Sequence, residues 1–181
     1  MRFATDKITH GYLGTYLRIA AALGPAARVC EVGVEHGHGL DLFQALFPAG
    51  LVAGVDADGG ARWPDGTIRL ICDQASPALP GKLAQHSETW DLFVDDASHD
   101  GNATTATMRL LWPLLAPGGF YVVEDWMVGL GWPGWDDSML TCVQGLLPLL
   151  TRDGDVEDIT CRYGLAVLRK KHRTGEGNPP L

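Results

Sequence analysis

Five short apolar runs are strung along the middle of this chain, and each stops at a glycine or an acid. They read "RVCEVG" from Arg28 to Gly33, "LVAGVD" from Leu51 to Asp56, "TIRLICD" from Thr67 to Asp73, "DLFVDD" from Asp91 to Asp96 and "FYVVED" from Phe120 to Asp125. Near-continuous apolar runs of this length are how strands buried on both faces read. Between them lie stretches of helical pattern, from about Gly37 to Phe47, Pro77 to His86 and Asn102 to Leu115. A leading helix from about Lys7 to Leu23 carries Ile8, Tyr12, Leu13, Tyr16, Leu17, Ala20 and Leu23 at helical spacing and ends at Gly24-Pro25. Strict alternation of this kind predicts a doubly wound, mostly parallel α/β sheet. Past Asp125 the rhythm changes: a Trp- and Gly-rich loop runs to about Trp135 and a helix to about Leu150. Then "VEDITC" and "GLAVLRK" flank Arg162-Tyr163 as a closing antiparallel hairpin. The sum is a seven-stranded sheet in one domain over residues 1–170, and the tail 171–181 has the composition of a disordered segment.

Composition narrows the function classes. The 181 residues are 46% hydrophobic and 20% charged, ordinary for a globular chain large enough to bury a core without staples. The formal charge is −8, and the one basic run, Arg169 to Arg173, reads as a solvated tail. Such a chain is a poor nucleic-acid binder. No apolar run approaches the roughly 20 residues of a membrane span. The opening "MRFATDKITHGY" has no apolar signal core. Cys30, Cys72, Cys142 and Cys161 form no C-x-x-C pair and read as reduced core residues, so a cytoplasmic location is expected.

The first strand runs into "EVGVEHGHG", with Gly33, Gly37 and Gly39 at a strand-to-helix turn. Glycine there lets a ligand approach the backbone, and the helix start offers free N–H groups. A tight connection would look the same. Glu35 stands where a dinucleotide fingerprint has its second glycine, which disfavours a nicotinamide-dependent oxidoreductase. Asp56 ends the second strand, where an acid can accept both ribose hydroxyls of a nucleoside. Asp73-Gln74 ends the third and could meet an adenine edge.

The segments "DKITHGYLGTYL", "VCEVGVEHGHGL", "AGVDAD", "ICDQASP", "DLFVDDASHDG" and "LLAPGGFYVVEDW", in that order from Asp6 to Trp126, resemble the class I S-adenosylmethionine-dependent methyltransferases. More narrowly, the chain looks like the metal-dependent O-methyltransferases that modify sugars in macrolide and related antibiotic biosynthesis. The resemblance implies a methyl donor lying across Glu31, Gly33, Gly37 and Asp56, with Asp73 and Gln74 near the adenine. Asp95 is grouped with this donor side. In the resembled family the fourth strand ends in Asp-Asp-x-Ser-His, whose second Asp is a magnesium ligand and whose His is the general base; these become Asp96 and His99. The fifth strand ends in a Glu-Asp pair that completes the Mg²⁺ site, here Glu124 and Asp125. Ala97 stands where the family usually has Gly. That Asp96 rather than Asp95 meets the metal rests on the resemblance, not on spacing. The resemblance implies that the segment carrying Lys7, His10 and Tyr12 closes over the donor, which makes these residues further candidates.

The chemistry is consistent with those residue types. A hard cation wants oxygen ligands, and neighbouring strands about 4.8 Å apart can bring several strand-end carboxylates around one ion. A sugar hydroxyl is a very weak acid; metal coordination lowers its pKa and a nearby imidazole can take the proton. Solvated strand-end acids and a surface histidine are the plainer reading. His36 and His38 lack partners at zinc-ligand spacing. In "WMVGLGWPGWDDSM", Trp126, Trp132 and Trp135 could form an acceptor lid, pack the loop, or meet another subunit. The resembled family includes chains with an additional N-terminal domain, so a homo-oligomer that supplies pocket walls is expected. The partner is a small hydroxylated metabolite, not nucleic acid or membrane. A non-catalytic donor-binding protein is the alternative.

Overall fold

The computed structural model describes residues 4–172. Seven strands form one sheet: β1 (Arg28–Val32), β2 (Leu51–Asp56), β3 (Ile68–Ile71), β4 (Trp90–Asp95), β5 (Leu115–Glu124), β6 (Val156–Arg162) and β7 (Leu165–Lys170), in the order β3-β2-β1-β4-β5-β7-β6. The first five are parallel, whereas β7 runs antiparallel to both β5 and β6, as the closing hairpin requires. The helices are α1 (Asp6–Thr9), α2 (Leu13–Leu23), α3 (His38–Leu46), α4 (Leu79–Ala84), α5 (Gly101–Leu111) and α6 (Ser138–Gln144).

Alternation along the strands builds two cores. Cys30, Val32, Ala53, Val55, Phe93 and Tyr121 face the layer of α4, α5 and α6. Val29, Val52, Leu92, Val94 and Val122 face the layer of α2 and α3, where Tyr16, Ile19, Leu40 and Phe43 pack. Both faces of β1, β2, β4 and β5 are covered, which is why those strands show no polar alternation. The strand order reverses between β1 and its two neighbours, β2 and β4. Ligands bind at such a switch point, beyond the carboxyl ends of the strands.

The structure departs from the sequence reading in instructive places. The leading helix, expected as one rod over 7–23, is two, because Gly11 takes φ +79° and turns the chain between them. Strand β5 begins at Leu115, not Phe120, and the register jumps from Trp90↔Leu115 to Leu92↔Phe120 to absorb Pro117-Gly118-Gly119. A Cβ at Gly119 would lie 2.8 Å from the Asp91 carbonyl oxygen, so the irregular stretch needs glycine there. Helix α5 starts just after His99 because the Asp100 carboxylate accepts from the N–H groups of Asn102 and Ala103, a cap worth about 1 kcal/mol. All four thiols are free, but Cys161 is exposed rather than in the core, since it sits on the edge strand β6. Of the tail expected to be disordered, 173–181 lies outside the described residues. Lys171 donates to the carbonyls of Thr151 and Arg152. No helix among the described residues is long and apolar enough to cross a membrane.

Candidate active site

A cavity of about 630 Å³ opens over the carboxyl ends of β1, β2 and β4. One end of it is made largely by backbone. Gly33 takes φ +95°, and a Cβ there would strike the Asp96 carbonyl oxygen at 2.0 Å, so only glycine lets the ends of β1 and β4 close on each other. The following turn is held by Asp56, whose Oδ2 accepts from Val34 N at 2.8 Å and Glu35 N at 3.1 Å, and whose Oδ1 accepts from Asp58 N at 2.8 Å. Partial burial opposes ionisation of Asp56, but these backbone N–H groups outweigh it and hold the carboxyl below its usual range. Gly37, at φ +67°, starts α3 and is packed beneath Arg62 and Pro64.

The other end is made by side chains from separate elements. Asp96, at the tip of β4, His99, and Asp125, just past β5, bring one ligand atom each within 4.8 Å of one another. His99 Nε2 lies 3.9 Å from Asp96 Oδ1 and 3.8 Å from Asp125 Oδ2. The His99 ring packs against Trp135, with centroids 5.6 Å apart. Among the described residues, the non-glycine positions with left-handed backbone are Glu35, His99 and Asp125, and all of them line this cavity. Such conformations cost about 1–3 kcal/mol each and persist only where the surroundings impose them.

Behind the mouth lies a buried charge cluster. Lys7 Nζ is 2.6 Å from Asp96 Oδ2, 3.0 Å from Glu124 Oε1 and 3.1 Å from Glu31 Oε1. Lys7, Glu31 and Glu124 are each at most 2% exposed. Burial alone would favour the neutral amine, but Glu124, Glu31 and Asp96 outweigh it and raise the Lys7 pKa. Burial pushes Glu31 up to about 7 despite Lys7. Burial and the charge of Asp96 push Glu124 up well above its usual range, while Lys7 and the Tyr16 hydroxyl, which donates to Glu124 Oε1, oppose this.

The structure therefore sorts the residues singled out in the sequence. Glu31, Gly33, Asp56, Asp73, Gln74, Asp96, His99 and Asp125 line one cavity. Gly37, Asp95 and Glu124 do not. Asp95 turns inward, accepts from the Tyr121 hydroxyl at 3.2 Å, and is pushed up to about 7 by burial. Glu124 faces Lys7 and Tyr16, outside the trio of converging ligand atoms. The Gln74 amide is occupied by Thr107 and Ser98 N, and Asp73 accepts from Ala75 N. His36 and His38 stack at the rim, exposed. Tyr16 and Trp135 were not marked by sequence as partners of the acids or of His99. For Tyr16 the signal was only its helical spacing from Tyr12.

A cavity of this size at the switch point of a doubly wound sheet, with acids at the ends of β2, β3, β4 and β5, stands where this class of α/β fold takes its ligands. The chain belongs to the methyltransferase-domain family, whose pattern it matches over residues 11–126. It is 29% identical over 171 residues to L-olivosyl-oleandolide 3-O-methyltransferase of Streptomyces antibioticus, covering 88% of this chain and 44% of that protein. It is 32% identical over 157 residues to 8-demethyl-8-alpha-L-rhamnosyl tetracenomycin-C 2'-O-methyltransferase of Streptomyces olivaceus, covering 79% of this chain and 41% of that one. The chain thus spans less than half the length of these relatives. Its fold is like that of MycE methyltransferase from the mycinamycin biosynthetic pathway, solved in complex with Mg, SAH and mycinamycin VI: TM-score 0.80 and 22% identity, over 98% of this chain and 54% of that one.

Proposed function

We propose that this chain is the catalytic domain of an S-adenosylmethionine- and Mg²⁺-dependent O-methyltransferase that acts on a sugar hydroxyl of a small natural product. The observation that carries the reading is the convergence of Asp96, His99 and Asp125 at the mouth of a cavity whose other end is the Gly33–Asp56 turn. The named relatives, sugar O-methyltransferases of antibiotic pathways, support the same chemistry.

The residues present fit both groups. Glu31, Asp96 and Glu124 gather around a single ammonium, Lys7, and Asp125 converges with Asp96 at the mouth, so that carboxyls outnumber cations in a way that suits a divalent cation and a positively charged donor. Glu31 Oε2 is buried and has no hydrogen-bond partner among the described residues. It lines the cavity, where a donor ammonium could satisfy it. Asp56 would take the ribose hydroxyls, and Asp96 and Asp125 would hold the cation with oxygen ligands. Bound there, Mg²⁺ lowers the pKa of a coordinated hydroxyl.

The remaining work falls to this chain's own groups. With a donor bound, the acceptor oxygen would form its bond to the methyl carbon as the carbon–sulfur bond breaks, and His99 Nε2 would take the proton that the acceptor gives up. Asp96 and Asp125 lie 3.9 and 3.8 Å from that nitrogen, close enough for their negative charge to favour its protonated form without a hydrogen bond. Trp135 holds the ring from its side. Exposed Leu130, Trp132 and Tyr163 support an apolar acceptor face or a subunit contact in a homo-oligomer. Four free thiols are consistent with the cytoplasm.

Calorimetric titration of the chelator-treated protein with S-adenosylhomocysteine, repeated with Mg²⁺, tests the reading. We expect saturable binding of both, with the Mg²⁺ signal lost in Asp96→Ala. Failure to bind S-adenosylhomocysteine would sink it.

A further inference from the structure

The two carboxylates at the cavity mouth use their oxygens in the same divided way. Asp96 Oδ2 takes Lys7 Nζ at 2.6 Å, while its Oδ1 faces His99 Nε2 at 3.9 Å. Asp125 Oδ1 takes the Tyr12 hydroxyl at 2.5 Å and has His10 Nδ1 at 3.6 Å, while its Oδ2 faces His99 Nε2 at 3.8 Å. One oxygen of each acid is held by the segment before β1, and the other is turned into the cavity.

We infer that Lys7 and Tyr12 are positioning residues for the divalent-cation site. They fix Asp96 Oδ2 and Asp125 Oδ1, so that Asp96 Oδ1 and Asp125 Oδ2 converge where the cation binds. This rests on the cation-dependent reading above. A carboxylate at a strand end rotates freely about its last torsion unless something holds it, and a metal site tolerates little such freedom. The holders are themselves rigid. Lys7 is 1% and Tyr12 3% exposed. The Gly11 turn folds the chain so that Tyr12 N donates to the Lys7 carbonyl at 2.8 Å, which brings both side chains to the same pair of acids. From the opposite side the β6–β7 turn abuts Tyr12: a Cβ at Gly164 would strike its hydroxyl at 2.0 Å. Parts distant in sequence thus lock one oxygen of each ligand.

The test uses Mn²⁺ as the probe, titrated into the full chain and followed by electron paramagnetic resonance, with S-adenosylhomocysteine binding as the control. Tyr12→Phe keeps the ring and loses only the hydroxyl. It should weaken Mn²⁺ about tenfold or more and alter the bound-Mn²⁺ spectrum, with S-adenosylhomocysteine affinity unchanged. Lys7→Met separates positioning from charge. Loss of a nearby positive charge by itself would tighten cation binding, whereas loss of a positioner weakens it, and Lys7→Arg should restore part of the affinity. Unchanged Mn²⁺ binding in Tyr12→Phe, or tighter binding in Lys7→Met, overturns the inference. Should Lys7→Met fail to fold, Tyr12→Phe decides alone. A wild-type chain that binds S-adenosylhomocysteine but gives no Mn²⁺ signal overturns the cation reading and this inference with it.

Discussion

The two ends of the cavity are built by different means. The proposed donor end is a local device: one strand, one glycine turn and one acid twenty-odd residues on, with Asp56 held by three backbone N–H groups. The mouth is assembled from α1, the start of α2, β4 and β5, and its geometry resides in side chains. The glycine turn needs only the pairing of β1 with β2. A side-chain cluster forms only after every element has docked. The donor end should therefore survive damage to the mouth, whereas damage at Asp56 loosens the turn that the rest of the cavity leans on.

Breaking the mouth gives the largest expected effect. His99→Ala should lower turnover by about 10²–10⁴-fold, the usual worth of a general base, and leave S-adenosylhomocysteine affinity within twofold or so of wild type; steady-state kinetics beside calorimetry reads both. Near wild-type turnover would remove His99 from the chemistry. Breaking the donor end is the converse experiment. Asp56→Ala strips a charged acceptor from three N–H groups and should cost about 1–3 kcal/mol of stability, with S-adenosylhomocysteine binding at least tenfold weaker; retention of full affinity would show that the turn alone holds the donor.

The smallest effect concerns pH. Asp95 is buried and pushed up to about 7, while in the unfolded chain an Asp titrates near about 3.9. As pH rises between those values the unfolded chain gives up this proton first, so the folded state loses stability. Asp95→Asn removes that loss. Urea unfolding at about pH 5 and about pH 8 should show a smaller drop for the variant than for wild type; equal drops would place the pH dependence elsewhere, with Glu31, also pushed up to about 7, the next group to replace.

The same contrast explains what could be read from the sequence. Strand runs, the mostly parallel sheet and the closing hairpin were legible because period and turn chemistry are local. So were the acids at strand ends. What escaped was how each acid is aimed. Asp95 and Asp96 are adjacent, and the alternation of the strand sends the first inward to Tyr121 and leaves the second at the mouth. Glu124 and Asp125 divide in the same way, Glu124 inward to Lys7 and Tyr16 and Asp125 to the cavity. The break at Gly11 was hidden because the apolar spacing continues across it. That break carries Lys7, one of the further candidates in the opening segment, to the centre of the acids.

The left-handed backbone at Glu35, His99 and Asp125 has a consequence for anyone who evolves this protein in the laboratory. A selection for heat resistance, blind to turnover, would be drawn to these positions first, because glycine relieves them at once. At Glu35, whose side chain is exposed, the gain would leave the converging Asp96, His99 and Asp125 in place. At the other two it would yield a sturdier protein with an empty mouth. Heat resistance and activity would then be competing phenotypes at these positions.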